Sequence, residues 1–187
     1  MSVLNGGFAA PAHESARNFR ALMEAMARPG TRQPVSGALP PAPLSPAAGA
    51  AVLTLLDETT PLHLAGAHNC PEVAQWITFH TGAPLVTAEE AQFALGEWEA
   101  LLPLSRFAEG DPAYPDRSAT LILELTSLMG DGPTLTGPGI QKTASLPLPE
   151  VDVFRANAAR FPLGFDCFLT AGSEVAALPR STKLESR

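Results

Sequence analysis

Lysine is almost missing from this chain of 187 residues: Lys142 and Lys183 are the two that occur, and arginine supplies the rest of the twelve basic residues. Any chemistry that needs a lysine amine therefore has two candidates. Cysteine is equally scarce. Cys70 and Cys167 lie far apart and form no C-x-x-C pair, which excludes a small disulfide-stapled scaffold. The longest apolar run, near Ala47 to Leu56, is too short to cross a bilayer. The opening stretch MSVLNGGFAAPAHESAR has no basic segment followed by an apolar one, so no signal peptide is read and a cytoplasmic protein is expected. With a net charge of −7 and no window that clusters Lys and Arg, direct binding to DNA or RNA is not expected.

Catalytic motifs are also lacking. The sequence contains no G-x-x-x-x-G-K-[ST] phosphate loop, no G-x-G-x-x-G, no H-E-x-x-H and no G-x-S-x-G elbow. The run His68 to Glu72 invites a metal reading, but zinc needs three or four converging ligands and no later C-x-x-C supplies them. Cys70 to Glu72 are better read as the first turn of a helix.

What is present is a globular composition, 45% apolar and 17% charged, in a length that suits one domain over residues 1–187. From Ser15 to Ala27, Ala16, Phe19, Met23 and Met26 recur at helical spacing and predict one buried stripe. Arg28, Pro29 and Gly30 stop that helix. The proline-rich passage Val35 to Pro46 reads as a connecting loop along the surface. An alanine-rich buried helix follows over Ala47 to Leu56, then a short strand over Pro61 to Ala65. Asn69 is expected to cap the next helix, with Pro71 and Glu72 in its first turn and Gly82 as its left-handed end. His80 sits on that helix's apolar side near its C-terminus, where the helix dipole suits it.

Further strands are expected at Pro84 to Thr87 and Gln92 to Leu95, and a short helix at Glu97 to Leu102. Ser105 to Arg117 reads as a loop. Ser118 to Leu125, SATLILEL, is the clearest strand, with Leu121, Leu123 and Leu125 on one face and Thr120, Ile122 and Glu124 on the other. A strand at Pro133 to Thr136, a helix at Glu150 to Arg160, and a hairpin of Phe165 to Ala171 with Glu174 to Leu178 complete the order. Gly172 and Ser173 have the form of a type II′ turn. The fold class is therefore α/β, a helix-flanked mixed sheet with an antiparallel C-terminal hairpin.

Two stretches bear on ligand binding. LTGPGI, Leu135 to Ile140, has the glycines of a phosphate nest, but Pro138 removes a backbone donor from its middle and no helix follows at once. It reads as a strand end and turn. Asp116 and Arg117, just before the clearest strand, stand where loops held by a sheet often carry ligands, or where charges simply solvate a turn. Asp166, inside an apolar strand, must face solvent or pair with an arginine, because an unpaired buried carboxylate is costly.

The stretches FRALMEAMARPG, LLDETTPL, FHTGAPLV, SATLILEL, LTGPGI, FPLGFDCFLT and ALPRST occur in an order and spacing that resemble the H-subunit (PhnH) family of the bacterial carbon–phosphorus lyase system for phosphonate use. One motif departs: the family usually carries Pro-Arg-Thr-Thr where this chain has Pro179, Arg180, Ser181 and Thr182. The resemblance implies a fold similar to a reduced pyridoxal-phosphate-dependent transferase that has lost its cofactor site, and so no cofactor. Such enzymes hold the aldehyde on a buried lysine, and Lys142 in a polar turn and Lys183 in the tail suit that role poorly. The resemblance also implies a non-catalytic subunit of a complex with G, I and J subunits, with a homodimer possible when it is free. That complex attaches a phosphonate to the ribose C1 of ATP and displaces adenine. The cluster chemistry that later breaks the carbon–phosphorus bond must lie elsewhere, since two distant cysteines cannot hold an iron–sulfur centre. A second reading is a phosphonate- or nucleotide-binding protein that uses an arginine-lined cleft. The residues considered for ligand or partner contact are Arg28, Asp116, Arg117 and Arg180. A third reading, an enzyme built on His80 with Asp116 or Asp166, requires those side chains to converge.

Overall fold

The computed structural model describes residues 4–185. Its spine is a six-stranded sheet in the order β1 (Gln33–Pro34), β8 (Glu174–Leu178), β7 (Asp166–Ala171), β4 (Thr120–Glu124), β3 (Phe93–Gly96), β2 (Leu62–Leu64). β2, β3, β4 and β7 run parallel, while β8 and then β1 add on at one side, each antiparallel to its inner neighbour. A separate three-stranded antiparallel sheet has the order β6 (Ala144–Ser145), β5 (Thr134–Thr136), β9 (Lys183–Glu185).

Strand alternation divides the core into two layers, because successive side chains leave opposite faces. Ile122, Phe168, Val175 and Ala177 join Leu62, Leu64 and Leu95 on one face, beneath α1 (Pro11–Ala27), α2 (Pro46–Leu55) and α3 (Pro71–Thr81). Leu121, Leu123, Cys167, Leu169, Ala176 and Leu178 pack on the other face, against α4 (Trp98–Leu101), α5 (Val151–Ala159) and the small sheet, which contributes Leu135 and Leu184. The expected division of SATLILEL between two faces therefore holds, and burial on both faces explains its nearly continuous apolar run. The mixed α/β architecture is as expected. The separate second sheet is an addition: the strand expected at Pro133 to Thr136 belongs to it, and Lys183 lies in β9 rather than in a loose tail.

Helix α1 buries a different stripe from the one its large apolar residues suggest. Asn18, Leu22 and Ala25 face inward, whereas Ala16 is exposed, Met26 half-buried, and Phe19 and Met23 remain 49% and 54% exposed. The cause is Asn18, whose side chain pairs with both backbone groups of Ser36, donating to its oxygen at 2.8 Å and accepting from its nitrogen at 3.1 Å. A buried amide satisfied in this way costs little, and it rotates the helix so that Phe19 and Met23 face outward. The helix also starts earlier than expected, with Pro11 in its first turn and the Ala10 N–H donating to Glu14 Oε2.

Other differences are local. Asn69 does not cap α3. Cys70 holds the cap position without a side-chain bond, because Gly66 to His68 form a tight turn of their own that Asn69 closes. Gly82 takes the left-handed conformation expected of it. Pro84 to Thr87 makes a single bridge, Leu85 to Leu62, rather than a strand. The passage Val35 to Pro46 is a connection, yet Val35, Ala38 and Leu44 reach the core from it. Gly172 has φ of +56° and Ser173 does not, as a type II′ turn requires. LTGPGI is the end of β5 and a turn, closed by the Ile140 N–H on the Gly137 oxygen. There Gly139, at φ of +79°, passes so close to the Ala27 carbonyl that a Cβ would fall 1.8 Å from its oxygen. Glycine is required at that crossing.

Candidate functional site

The four residues singled out from the sequence fall in two places. Arg28 lies just beyond α1 and pairs with Glu24 at 3.0 Å, both side chains well exposed. Asp116, Arg117 and Arg180 gather at the amino ends of β3, β4 and β7. Arg117 lies 3.9 Å over the ring of Tyr114 and, with Asp116, Gln92, Phe93 and Thr120, lines a hollow of ≈ 530 Å3. Arg180 is 12% exposed and turns inward. Its Nε and Nη2 bind the two oxygens of Asp166, at 3.2 and 2.6 Å. Its Nη1 donates to the carbonyls of Pro115 and Pro162, and Nη2 donates a second bond, to the Ser118 hydroxyl. Those five bonds use all five N–H groups of a guanidinium. Asp166 thus pairs with an arginine, the second of its two expected solutions, and its Oδ1 also accepts from the Arg180 backbone nitrogen at 2.8 Å.

His80 does not join these groups. It stays on α3, its ring edge-on to those of Trp76 and Phe79 on the same helix, while Asp166 is committed to Arg180.

The opposite, carboxyl ends of the parallel strands hold a polar cluster that sequence reasoning did not assemble. β2 ends at Leu64, and Gly66, at φ of +58°, turns the chain so that His68 swings into the sheet end. β3 ends at Gly96 and delivers Glu97. β4 ends on Glu124, which shares the α2 side of the sheet with Ile122. Ser45 faces them from the start of α2; its hydroxyl caps the helix by accepting from the Ala48 N–H, and its own N–H donates to Glu124 Oε1 at 2.8 Å. Together with Thr126 and Pro43, these residues line a cleft of ≈ 520 Å3. In open α/β sheets, ligands bind in the crevice outside the carboxyl ends of the strands.

Two members of the cluster are deeply buried. The side chains of His68 and Glu124 are 2% and 8% exposed, with His68 Nε2 3.9 Å from Glu124 Oε1. That separation is too long for a hydrogen bond, and both ring nitrogens of His68 are without a partner among the described residues. Burial pushes the His68 pKa below its ordinary value, opposed by the charge of Glu97. Burial likewise pushes Glu124 upward, against the hydrogen bonds from Ser45 and Thr170. Both groups are driven toward neutrality, so the pair is not a stabilising ion pair.

A metal is not what the cluster suggests. Among the described residues, no group of three or more His, Cys, Asp or Glu side chains is placed to hold one. Glu72 is exposed in the first turn of α3, apart from His68. The signal in the sequence that could have found this site is Glu124, a carboxylate at the end of the most apolar strand, on the same face as the buried Ile122.

Comparison with known proteins adds the context. A family described as bacterial phosphonate metabolism protein (PhnH) matches residues 6–185. A Rhizobium meliloti (strain 1021) protein named alpha-D-ribose 1-methylphosphonate 5-triphosphate synthase subunit PhnH is 45% identical, the alignment covering 98% of this chain and 96% of that one. A Stutzerimonas stutzeri protein named putative C-P lyase subunit protein HtxG is 31% identical, over 94% of this chain and 87% of its own.

Proposed function

Because the chain belongs to the PhnH family of bacterial phosphonate metabolism proteins, we propose that it is a non-catalytic subunit of a carbon–phosphorus lyase core assembly. In this reading it joins G, I and J subunits in the cytoplasm, as one domain over residues 1–187. The assembly transfers a phosphonate to the ribose C1 of ATP and displaces adenine. The observation that carries the reading is the 45% identity over nearly the full length of both chains to a relative named as a subunit of that synthase.

Two structural features support it. Lys142 and Lys183 are both exposed, a poor setting for a Schiff-base lysine, which fits a transferase-like fold that has given up pyridoxal phosphate. Phe19, Met23, Phe79 and Met129 are each about half exposed or more, and burial against partner subunits would account for large apolar side chains left in water. A homodimer of the free chain would serve the same end.

Co-expression with the presumed G, I and J partners, followed by native mass spectrometry, tests the proposal. One defined assembly that contains this chain, and that makes no ribose-phosphonate adduct without it, is the expected result. Partners that assemble and react normally in its absence would overturn it.

A further inference from the structure

The cleft at the carboxyl ends of β2, β3 and β4 has a definite chemical polarity. Its lining includes three carboxylates, on Glu97, Glu99 and Glu124, and no lysine or arginine. An anionic group such as a phosphate or phosphonate meets repulsion there and finds no counter-charge. At the floor, His68 Nε2 and Glu124 Oε1 stand 3.9 Å apart; with the ring proton on Nδ1 and the carboxyl ionised, both are acceptors. They are too far apart to bond to each other. Both ring nitrogens of His68 are closed off from solvent, so a nitrogen donor reaches the two at about 2.8 Å once the ring turns toward the cleft. Both ring nitrogens of His68 lack a partner among the described residues, in a side chain that is 98% buried, and such a group is normally satisfied. The walls above, Pro43, Leu125 and Pro149, are apolar.

The geometry points to a binding site for a primary ammonium group on a short alkyl chain, its nitrogen seated between His68 and Glu124, its charge balanced by Glu97, and its carbons against Pro43 and Pro149. An ammonium carries three N–H donors and no acceptor, which matches a floor made of acceptors. A quaternary ammonium has the same charge but no N–H and cannot make those bonds. The inference goes beyond the subunit reading and stands without it, since the isolated chain carries every residue involved. A free amine and the lysine tip of a neighbouring subunit offer the same group.

The test is a titration of the full chain with n-propylammonium chloride, followed by the ring resonances of His68, which are assigned by their loss in His68→Gln. Tetramethylammonium chloride at equal ionic strength is the control. The expected result is a saturable shift with n-propylammonium and none with tetramethylammonium. Glu124→Gln should weaken the binding roughly tenfold or more, by loss of a charge-assisted bond. Glu97→Gln should weaken it roughly threefold; that side chain is exposed, so the fold is not at stake. An absent shift, equal shifts with both cations, or an unchanged affinity in Glu124→Gln would overturn the site and leave a bridging water as its sole occupant. Repeating the titration on the assembled complex separates the sources. If a partner's lysine supplies the group, the complex no longer takes up n-propylammonium; if a free amine does, it titrates like the isolated chain.

Discussion

The two ends of the parallel strands each hold a carboxylate at least partly withdrawn from water, and they treat it in opposite ways. At the amino ends, Asp166 opens β7 and meets Arg180, whose five N–H groups all find acceptors in Asp166, Ser118, Pro115 and Pro162. At the carboxyl ends, Glu124 closes β4 beside His68, whose two ring nitrogens have no hydrogen-bond partner among the described residues. The first arrangement ties three stretches, 115–118, 162–166 and the turn at Arg180, together and leaves the guanidinium no donor for a ligand. The second leaves polar capacity unspent inside a cleft. Satisfied buried polar groups specify structure, whereas unsatisfied ones are kept at a cost that folding alone does not explain.

The sharpest way to break the contrast is to remove Arg180. Arg180→Ala should destabilise the protein by on the order of 3 kcal/mol, since it strands Asp166 and frees three other acceptors. The figure sits toward the low side for a buried pair because Asp166 is 27% exposed. Arg180→Lys keeps the charge but loses the planar fork, and should cost about 1–2 kcal/mol. Denaturant unfolding monitored by Trp fluorescence reads both. Losses below about 0.5 kcal/mol for the alanine variant would show that this end is an ordinary surface pair and would reopen Arg180 as a ligand residue.

The sequence made one of these ends visible and hid the other. Asp166 inside an apolar run had two solutions that could be written down beforehand, and the structure took one. Glu124 and His68 sit 56 positions apart in the chain, and a turn at Gly66 brings them together. Spacing rules for local motifs do not reach across a parallel sheet. The strands themselves were legible because they are apolar on both faces. By contrast, the apolar pattern of α1 predicts the wrong face inward, since it weighs Phe19 and Met23 by size and carries no sign that Asn18 is held by the backbone of Ser36. The small sheet was missed for a related reason: β6 and β9 are two and three residues long, and their pairing with β5 supplies what their own sequence does not.

A smaller effect of opposite sign is expected at the carboxyl end. Glu124→Gln keeps an oxygen to accept from the Ser45 N–H and removes a charge that burial disfavours. Its stability should equal that of the parent or exceed it by up to about 1 kcal/mol, in line with buried charges replaced by neutral groups of similar shape. A loss greater than about 1 kcal/mol would mean that Glu124 stabilises the fold as an anion, and the two ends would then be alike.

The smallest effect, and the most specific, is in the pH dependence of stability. Burial holds the folded pKa of His68 below the value of 6.5 that it has when solvated. As pH falls through about 6.5, the unfolded chain takes up a proton at this residue and the folded chain does not, so stability must fall. Glu124 acts in reverse. Its folded pKa is raised above 4.5, so its contribution is fully present below 4.5 and is lost as pH rises through the raised value. Glu97, on the rim, raises both groups and shifts the two limbs in the same direction. Because the limbs oppose each other, the wild-type profile alone is ambiguous, and the difference from His68→Gln is the informative quantity. Wild type should lose stability relative to His68→Gln as pH is lowered from about 7.5 to about 5.5, and the gap should be constant above that window. A gap that stays constant throughout would mean that the ring has a solvated, ordinary environment, and with it the contrast between the two ends of the sheet would disappear.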